Sequence, residues 1–139
     1  MAEQRRPRQT VFPVLRYREA DRAIRFLTEA FGFTAEVRYP PEGDPVEHAE
    51  LRFGESAVMV GSARGEDAGP VSVPPAPQVL FAVVDDPDAH CARARAAGAE
   101  ILAEPADTDY GSREYAARDP EGNVWGFGTY WRDSAERQD

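Results

Sequence analysis

Side chains that could move a proton, hold a metal or grip a charge alternate with apolar residues in two short runs of this sequence. His48 and His90 are the only histidines and Cys91 is the only cysteine. In VEHAELRF, residues 46–53, His48, Glu50 and Arg52 alternate with Ala49, Leu51 and Phe53. A two-residue period is that of a strand, so the apolar set packs inward and His48, Glu50 and Arg52 share the other face. In SREYAAR, residues 112–118, the same period turns Tyr115 and Ala117 inward and leaves Glu114, Ala116 and Arg118 opposite. A histidine beside a carboxylate suits acid/base chemistry. A carboxylate on an apolar surface suits the anchoring of a cation.

Each of these residues also has a structural role open to it. His48 can be an ordinary hydrogen-bonded surface histidine, and Glu114 can pair with Arg16 or Arg118. Arg113 and Tyr110 either line the mouth of a cavity or decorate a loop. His90 stands among alanines and arginines in DAHCARARA, where solvent exposure is expected. Cys91 has no convincing histidine partner, so an inert, partly buried thiol is expected. No Ser-His-Asp set, phosphate loop or dinucleotide fingerprint occurs. No residue is assigned as catalytic, and the residues support binding more directly than turnover.

The 139 residues suffice for one compact domain or two small fused modules. A 42% hydrophobic and 29% charged composition is that of a globular chain. The formal charge of −9 repels nucleic acid and anionic membranes and favours cationic small molecules. One cysteine allows neither an intrachain disulfide nor a multi-cysteine metal site. Met1 to Arg8 lacks the apolar stretch of a secretory signal, and no run is long enough to span a bilayer, so a cytoplasmic location is expected.

The elements that must position these residues come in a repeated order. TVFPVLRY (10–17) reads as a strand, with Pro13 marking an edge or entry position. Ala20, Ala23, Ile24, Leu27, Ala30 and Phe31 recur at helical spacing, so 19–31 reads as an amphipathic helix closed by Gly32. FTAEVRY, VEHAELRF and SAVMVGS follow as strands, with a loop at 40–45 and a tight Gly54-Glu55 turn. Residues 63–77 have linker composition. PQVLFAVV is a strand, 86–97 a helix ended by Gly98, 100–103 a short strand and 106–111 a loop. SREYAAR and NVWGFGTY then form a hairpin through Asp119-Pro120-Glu121-Gly122.

Both halves therefore read β-α-β-β-β. A shift of 66 residues aligns Ala30 with Ala96, Gly32 with Gly98, Arg52 with Arg118, Glu55 with Glu121 and Val58 with Val124. Identity is barely above chance, so the repeat rests on the order of elements, and two unrelated α+β halves would give the same order.

LRYREADRAIRFLTEAFGF and YGSREYAARDPEGNVWGFG resemble the opening strand-plus-helix and the closing hairpin of the vicinal-oxygen-chelate superfamily. That superfamily includes glyoxalases, bleomycin-resistance proteins and dioxygenases. SREYAARDPEGN is also similar to the corresponding segment of bleomycin-resistance proteins. The resemblance spans roughly residues 10–130. It implies an α+β fold of two tandem βαβββ modules, 10–62 and 78–130, forming curved mixed sheets around a cavity. Residues 63–77 would link them, and 1–9 and 131–139 would be flexible tails.

In the metal-dependent members four inward positions supply His, Glu or Gln ligands. Mapped by motif, these positions hold Phe12, Val60, Val79 and Gly126, with Gln78 beside Val79. None of the four offers an imidazole, carboxylate or thiolate, so no metal and no other cofactor is expected.

Strand parity adds Val14 and Arg16 to Phe12 on the concave side of the first strand. It adds Phe81 and Val83 to Val79 on the fifth, and Val124, Gly128 and Tyr130 to Gly126 on the last. The candidate ligand-binding set is Phe12, Val14, Arg16, His48, Glu50, Val60, Val79, Phe81, Glu114, Arg118, Gly126 and Tyr130. Gly126 and Gly128 are expected to leave room for a ring, and Trp125 and Phe127 to pack in the core. These residues point to a metal-free protein that binds an apolar or cationic organic molecule. The alternative is a glyoxalase-like lyase or isomerase using His48 or Glu114, with an atypical metal on His48, Glu50 and Glu114. A homodimer is expected, with no nucleic-acid or membrane partner. A sensor using the same cavity for regulation is a third reading.

Overall fold

A computed structural model describes residues 9–65, 69–70 and 73–130. The expected tails, apart from Gln9, and residues 66–68 and 71–72 of the expected linker lie outside the described residues. The elements run β1 (Val14–Tyr17), α1 (Ala20–Phe31), β2 (Thr34–Tyr39), β3 (His48–Phe53), β4 (Ser56–Ser62), β5 (Val79–Val83), α2 (Pro87–Ala96), β6 (Glu100–Asp107), β7 (Arg113–Arg118) and β8 (Val124–Gly128). This is β-α-β-β-β twice, an α+β fold of tandem modules. The chain divides into two compact units, one of Met1–Thr28 with Gly32–Pro75, the other of Glu29–Phe31 with Ala76–Asp139. No helix among the described residues is long and apolar enough to cross a membrane.

In the first unit the strand order is β1-β4-β3-β2, with β1 parallel to β4 and the other pairs antiparallel. Leu15, Tyr17, Ala49, Leu51, Val58 and Val60 are buried on one face of this sheet. Helix α1 buries its apolar stripe, as its spacing requires, and stops at Gly32. There φ is 85° and the N–H bonds back to Leu27 O, a left-handed cap that costs a glycine little.

Strand β1 starts at Val14 rather than Thr10, because Pro13 has no N–H to offer a ladder. The segment before it is held differently. Pro13 O accepts from Met59 N, and the Gln9 side-chain amide bonds both N and O of Ala57.

In the second unit the order β5-β8-β7-β6 repeats the first topology. Leu80, Ala82, Tyr115, Ala117, Trp125 and Phe127 form the packed face by parity. Trp125, Phe127, Tyr115 and Ala117 are buried, as expected of the hairpin. Asp86 caps α2 by accepting from Ala89 N at 3.1 Å, with Pro87 at the first helical position where its missing N–H is harmless. Strand β6 is longer than its sequence suggests. It runs to Asp107 through Pro105, into the expected loop, with two register shifts against β7. An irregular edge strand tolerates such a proline.

The sheet registers fix which face of its own sheet each residue takes. Val14 lies opposite Met59 and Arg16 opposite Gly61, as Val79 lies opposite Val124 and Phe81 opposite Gly126. Gly126 is on the open face and Val60 on the packed face, so these two do not correspond. The alignment of Val58 with Val124 is likewise one residue off. The cause is hairpin length: β3 and β4 are joined by two residues, β7 and β8 by a longer turn closed by Asp119 N to Asn123 O.

Candidate functional site

Each sheet has a packed face and an open face, and the candidate residues divide between them. On the second sheet the open face carries Val79, Phe81, Glu114, Ala116, Arg118, Val124, Gly126 and Gly128, in rows set by the register. Val79 is 81% exposed and Phe81 47%. The Phe81 ring lies across both glycines of β8. A Cβ at Gly126 would stand 3.1 Å from its Cδ1, and one at Gly128 would stand 3.1 Å from its Cζ and collide with Glu114 Cγ. The room the glycines create is thus filled by the protein's own ring and carboxylate stem, not left vacant as expected.

Glu114 accepts a hydrogen bond from Tyr110 Oη at 2.9 Å, which holds the Tyr110 phenol above its ordinary pKa. Tyr110 meets Tyr130 edge to face at 5.8 Å, and both rings are exposed. Tyr110, expected either to line a cavity mouth or to decorate a loop, lies in the turn before β7. Arg118 pairs with Glu100 at 2.8 Å and not with Glu114. Arg113 is bound to Asp88 and Asp107, and its hydrogen bonds hold the Asp88 carboxyl below its usual range. It joins α2, β6 and β7 rather than lining a cavity mouth.

On the first sheet the open face carries Val14, Arg16, His48, Glu50, Met59 and Gly61. His48 Nε2 and Glu50 Oε2 are 2.8 Å apart. Arg16 lies over Gly61, where a Cβ would collide with its Nη1. Val60 does not share this face. It is 1% exposed, opposite Leu15 and Ala49 on the packed side, because the hairpin length shifts β4 by one residue against the mapping from β8. Phe12 is half-buried in the segment preceding β1.

His90 corrects another expectation. Rather than standing in solvent it is half-buried, stacked on Phe31 and tilted against Phe127. Its Nε2 donates to Phe31 O at 2.8 Å, which leaves Nδ1 to accept from Tyr115 Oη at 2.5 Å. Loss of solvent pushes its pKa below 6.5, and burial pushes the Tyr115 phenol up. Cys91 is buried next to it, and burial pushes its thiol up, away from the reactive thiolate.

Asp119 is the most highly connected acid of the second unit. Buried in the β7–β8 turn, it accepts from Glu121 N, Asn123 N, Asn123 Nδ2 and Trp125 Nε1 at 3.0–3.1 Å. Asn123 Oδ1 in turn accepts from Gln78 N, which ties the entry of β5 to the turn.

The metal positions can now be tested against donors. The open-face rows across β1–β4 and β5–β8 hold Val14 with Met59, Arg16 with Gly61, Val79 with Val124 and Phe81 with Gly126. None supplies an imidazole, carboxylate or thiolate, so these residues do not fit a chelate. Among the described residues no three His, Cys, Asp or Glu side chains gather as a metal site.

Comparison with known proteins agrees with the fold. A profile of the Glyoxalase/Bleomycin resistance protein/Dioxygenase superfamily matches residues 9–127. The uncharacterized protein Mb0911c of Mycobacterium bovis is 31% identical over 115 residues, covering 79% of this chain and 76% of that protein. Among solved structures, TioX from Micromonospora sp. ML1 superposes with a TM-score of 0.72 at 33% identity, covering 86% of this chain and 94% of TioX. Lactoylglutathione lyase from Agrobacterium tumefaciens shares the fold, with a TM-score of 0.65 at 21% identity over 88% of this chain and 94% of that one.

Proposed function

The chain belongs to the glyoxalase/bleomycin resistance protein/dioxygenase superfamily, and from that premise we propose that it is a metal-free binding protein for an apolar or cationic organic molecule. The observation that carries this reading is the open face of the second sheet. The Phe81 ring reaches across Gly126 and Gly128, beside a carboxylate, Glu114, that already accepts from Tyr110. An exposed ring offers a planar apolar surface to a ligand ring, and burial of that surface contributes roughly 25 cal/mol per Å². Glu114 adds attraction for a positive charge, and the neighbouring aromatic faces add cation–π attraction. The non-donor residues at the chelate positions support a binder that works without a metal. The family's description, which includes bleomycin resistance proteins, supports sequestration as the mode of action.

One observation favours a second reading. The His48–Glu50 contact orients an imidazole on an open sheet face, the arrangement an acid/base needs in a lyase or isomerase. Both readings are tested by one experiment. Aromatic cations are screened by thermal shift, and each hit is incubated with the protein and examined by mass spectrometry. Recovery of the hit unchanged is the expected result. Steady conversion to product, lost in His48→Ala or Glu114→Gln, would replace the binder with the enzyme.

A further inference from the structure

Arg16 is unlike the other strand arginines. Among the described residues, Arg38 pairs with Asp21, Arg52 with Glu36, Arg113 with Asp88 and Asp107, and Arg118 with Glu100. Among the described residues of the first unit Arg16 meets no carboxylate. There its guanidinium makes one long hydrogen bond, from Nη1 to Ser62 O at 3.5 Å. A guanidinium has five N–H donors in a fixed fork, so most of its capacity is unused. In a chain with a formal charge of −9 this is not for want of acids.

The position of the guanidinium is built into the sheet. Gly61 is its register partner on β4, and a Cβ there would collide with Nη1 and stand 3.4 Å from Glu47 O. The missing side chain lets Arg16 lie across β4, half-buried, instead of extending into solvent. Beyond Gly61, on β3, comes His48, next in the ladder after the Ala49–Val60 pair. Its Nε2 is engaged by Glu50, and its Nδ1 has no partner among the described residues. Val14, 53% exposed, and Met59 provide apolar ground in the adjacent row.

We infer that the open face of the first sheet is a subsite for the carboxylate of a small apolar acid, with Arg16 as its counterion and Val14 and Met59 beneath its hydrocarbon part. The fork of a guanidinium matches the two oxygens of a carboxylate, and partial burial raises the strength of that charge-assisted pair. The overall negative charge of the chain repels anions, so selectivity for one has to come from this local group. The inference goes beyond the function proposed above and does not rest on it. Failure of aromatic cations to bind would leave it standing.

The test uses the full chain and two probes of one shape, 2-naphthoate and the neutral 2-naphthamide, titrated by calorimetry. The wild type binds the acid about tenfold more tightly than the amide, the scale of one charge-assisted pair. The preference shrinks as salt is raised. Arg16→Met abolishes it while leaving amide affinity unchanged. Gly61→Ala, which keeps the charge but displaces the guanidinium, reduces it, with folding of both variants checked by circular dichroism. Equal affinity of the wild type for both probes, binding of neither, or a preference that survives Arg16→Met in a folded protein would overturn the inference.

Discussion

At the scale of single residues, two buried polar groups matter more to the fold than the sequence reveals. Four hydrogen bonds reach the buried Asp119 carboxylate, and one of them satisfies the Trp125 indole N–H. Removing one partner of such a set leaves buried donors unpaired, at about 1–3 kcal/mol for each group stranded. Asp119→Ala is therefore expected to cost about 3 kcal/mol or more in urea denaturation, and an unchanged midpoint would contradict the role given to it. The DPEGN segment was legible as a turn. The carboxylate at its centre was not, because one of its donors comes from Trp125 two strand positions beyond the turn.

His90 makes a second case. Its folded pKa is depressed by burial, so the unfolded chain takes up a proton first as pH falls. Stability is level above the unfolded value near 6.5 and declines below it, toward the lower folded pKa. Urea midpoints at pH 7.5 and 5.5 check this, and the decline should be smaller in His90→Gln. An equal decline in that variant would assign it to other groups. The neighbours of His90 along the chain are alanines and arginines, whereas those that bury it are Phe31, Tyr115 and Phe127, all remote in sequence. Local composition cannot report such an environment.

At the scale of elements, the two-residue strand period and the helical spacing of 20–31 were enough to give the order of elements and the packed faces. They did not give the register between halves. The two hairpin turns differ in length, and a one-residue slip moves every side chain to the other face, which is why Val60 was placed on the open side. The glycines of β8 were read as an empty wall, although Phe81 lies across them.

That geometry predicts unequal substitutions. At Gly126 a methyl group meets a half-exposed phenyl ring, which can move, so Gly126→Ala is expected to change stability by less than about 1 kcal/mol. At Gly128 it meets the Arg113 carbonyl at 3.0 Å as well as the Glu114 stem, and backbone cannot give way cheaply. Gly128→Ala is expected to cost about 1–3 kcal/mol. Thermal melts of the two variants decide it, and equal effects would contradict this packing. Gly126→Leu, which must push Phe81 aside, is expected to abolish binding of aromatic ligands while the fold persists.

At the scale of the whole molecule, the tandem βαβββ architecture and the family were legible because element order survives where residue identity does not. Assembly and ligand were not, since neither leaves a period in the chain. Among the described residues the edge strands are β1 and β2 in the first sheet and β5 and β6 in the second. Edges are commonly covered by a partner, and two-fold symmetry is the commonest arrangement of soluble oligomers. Light scattering is expected to give twice the 15.4 kDa chain mass, and a value near one chain at micromolar concentration would count against a homodimer.

The central claim, a binder that holds an organic molecule without a metal, is tested most directly by native mass spectrometry of the protein purified from its host. The expected result is a chain that carries a small organic adduct, released on mild activation and reduced in Phe81→Ala, with no divalent ion in stoichiometric amount. One tightly held zinc, iron, manganese or nickel per chain, released only by chelator, would contradict it.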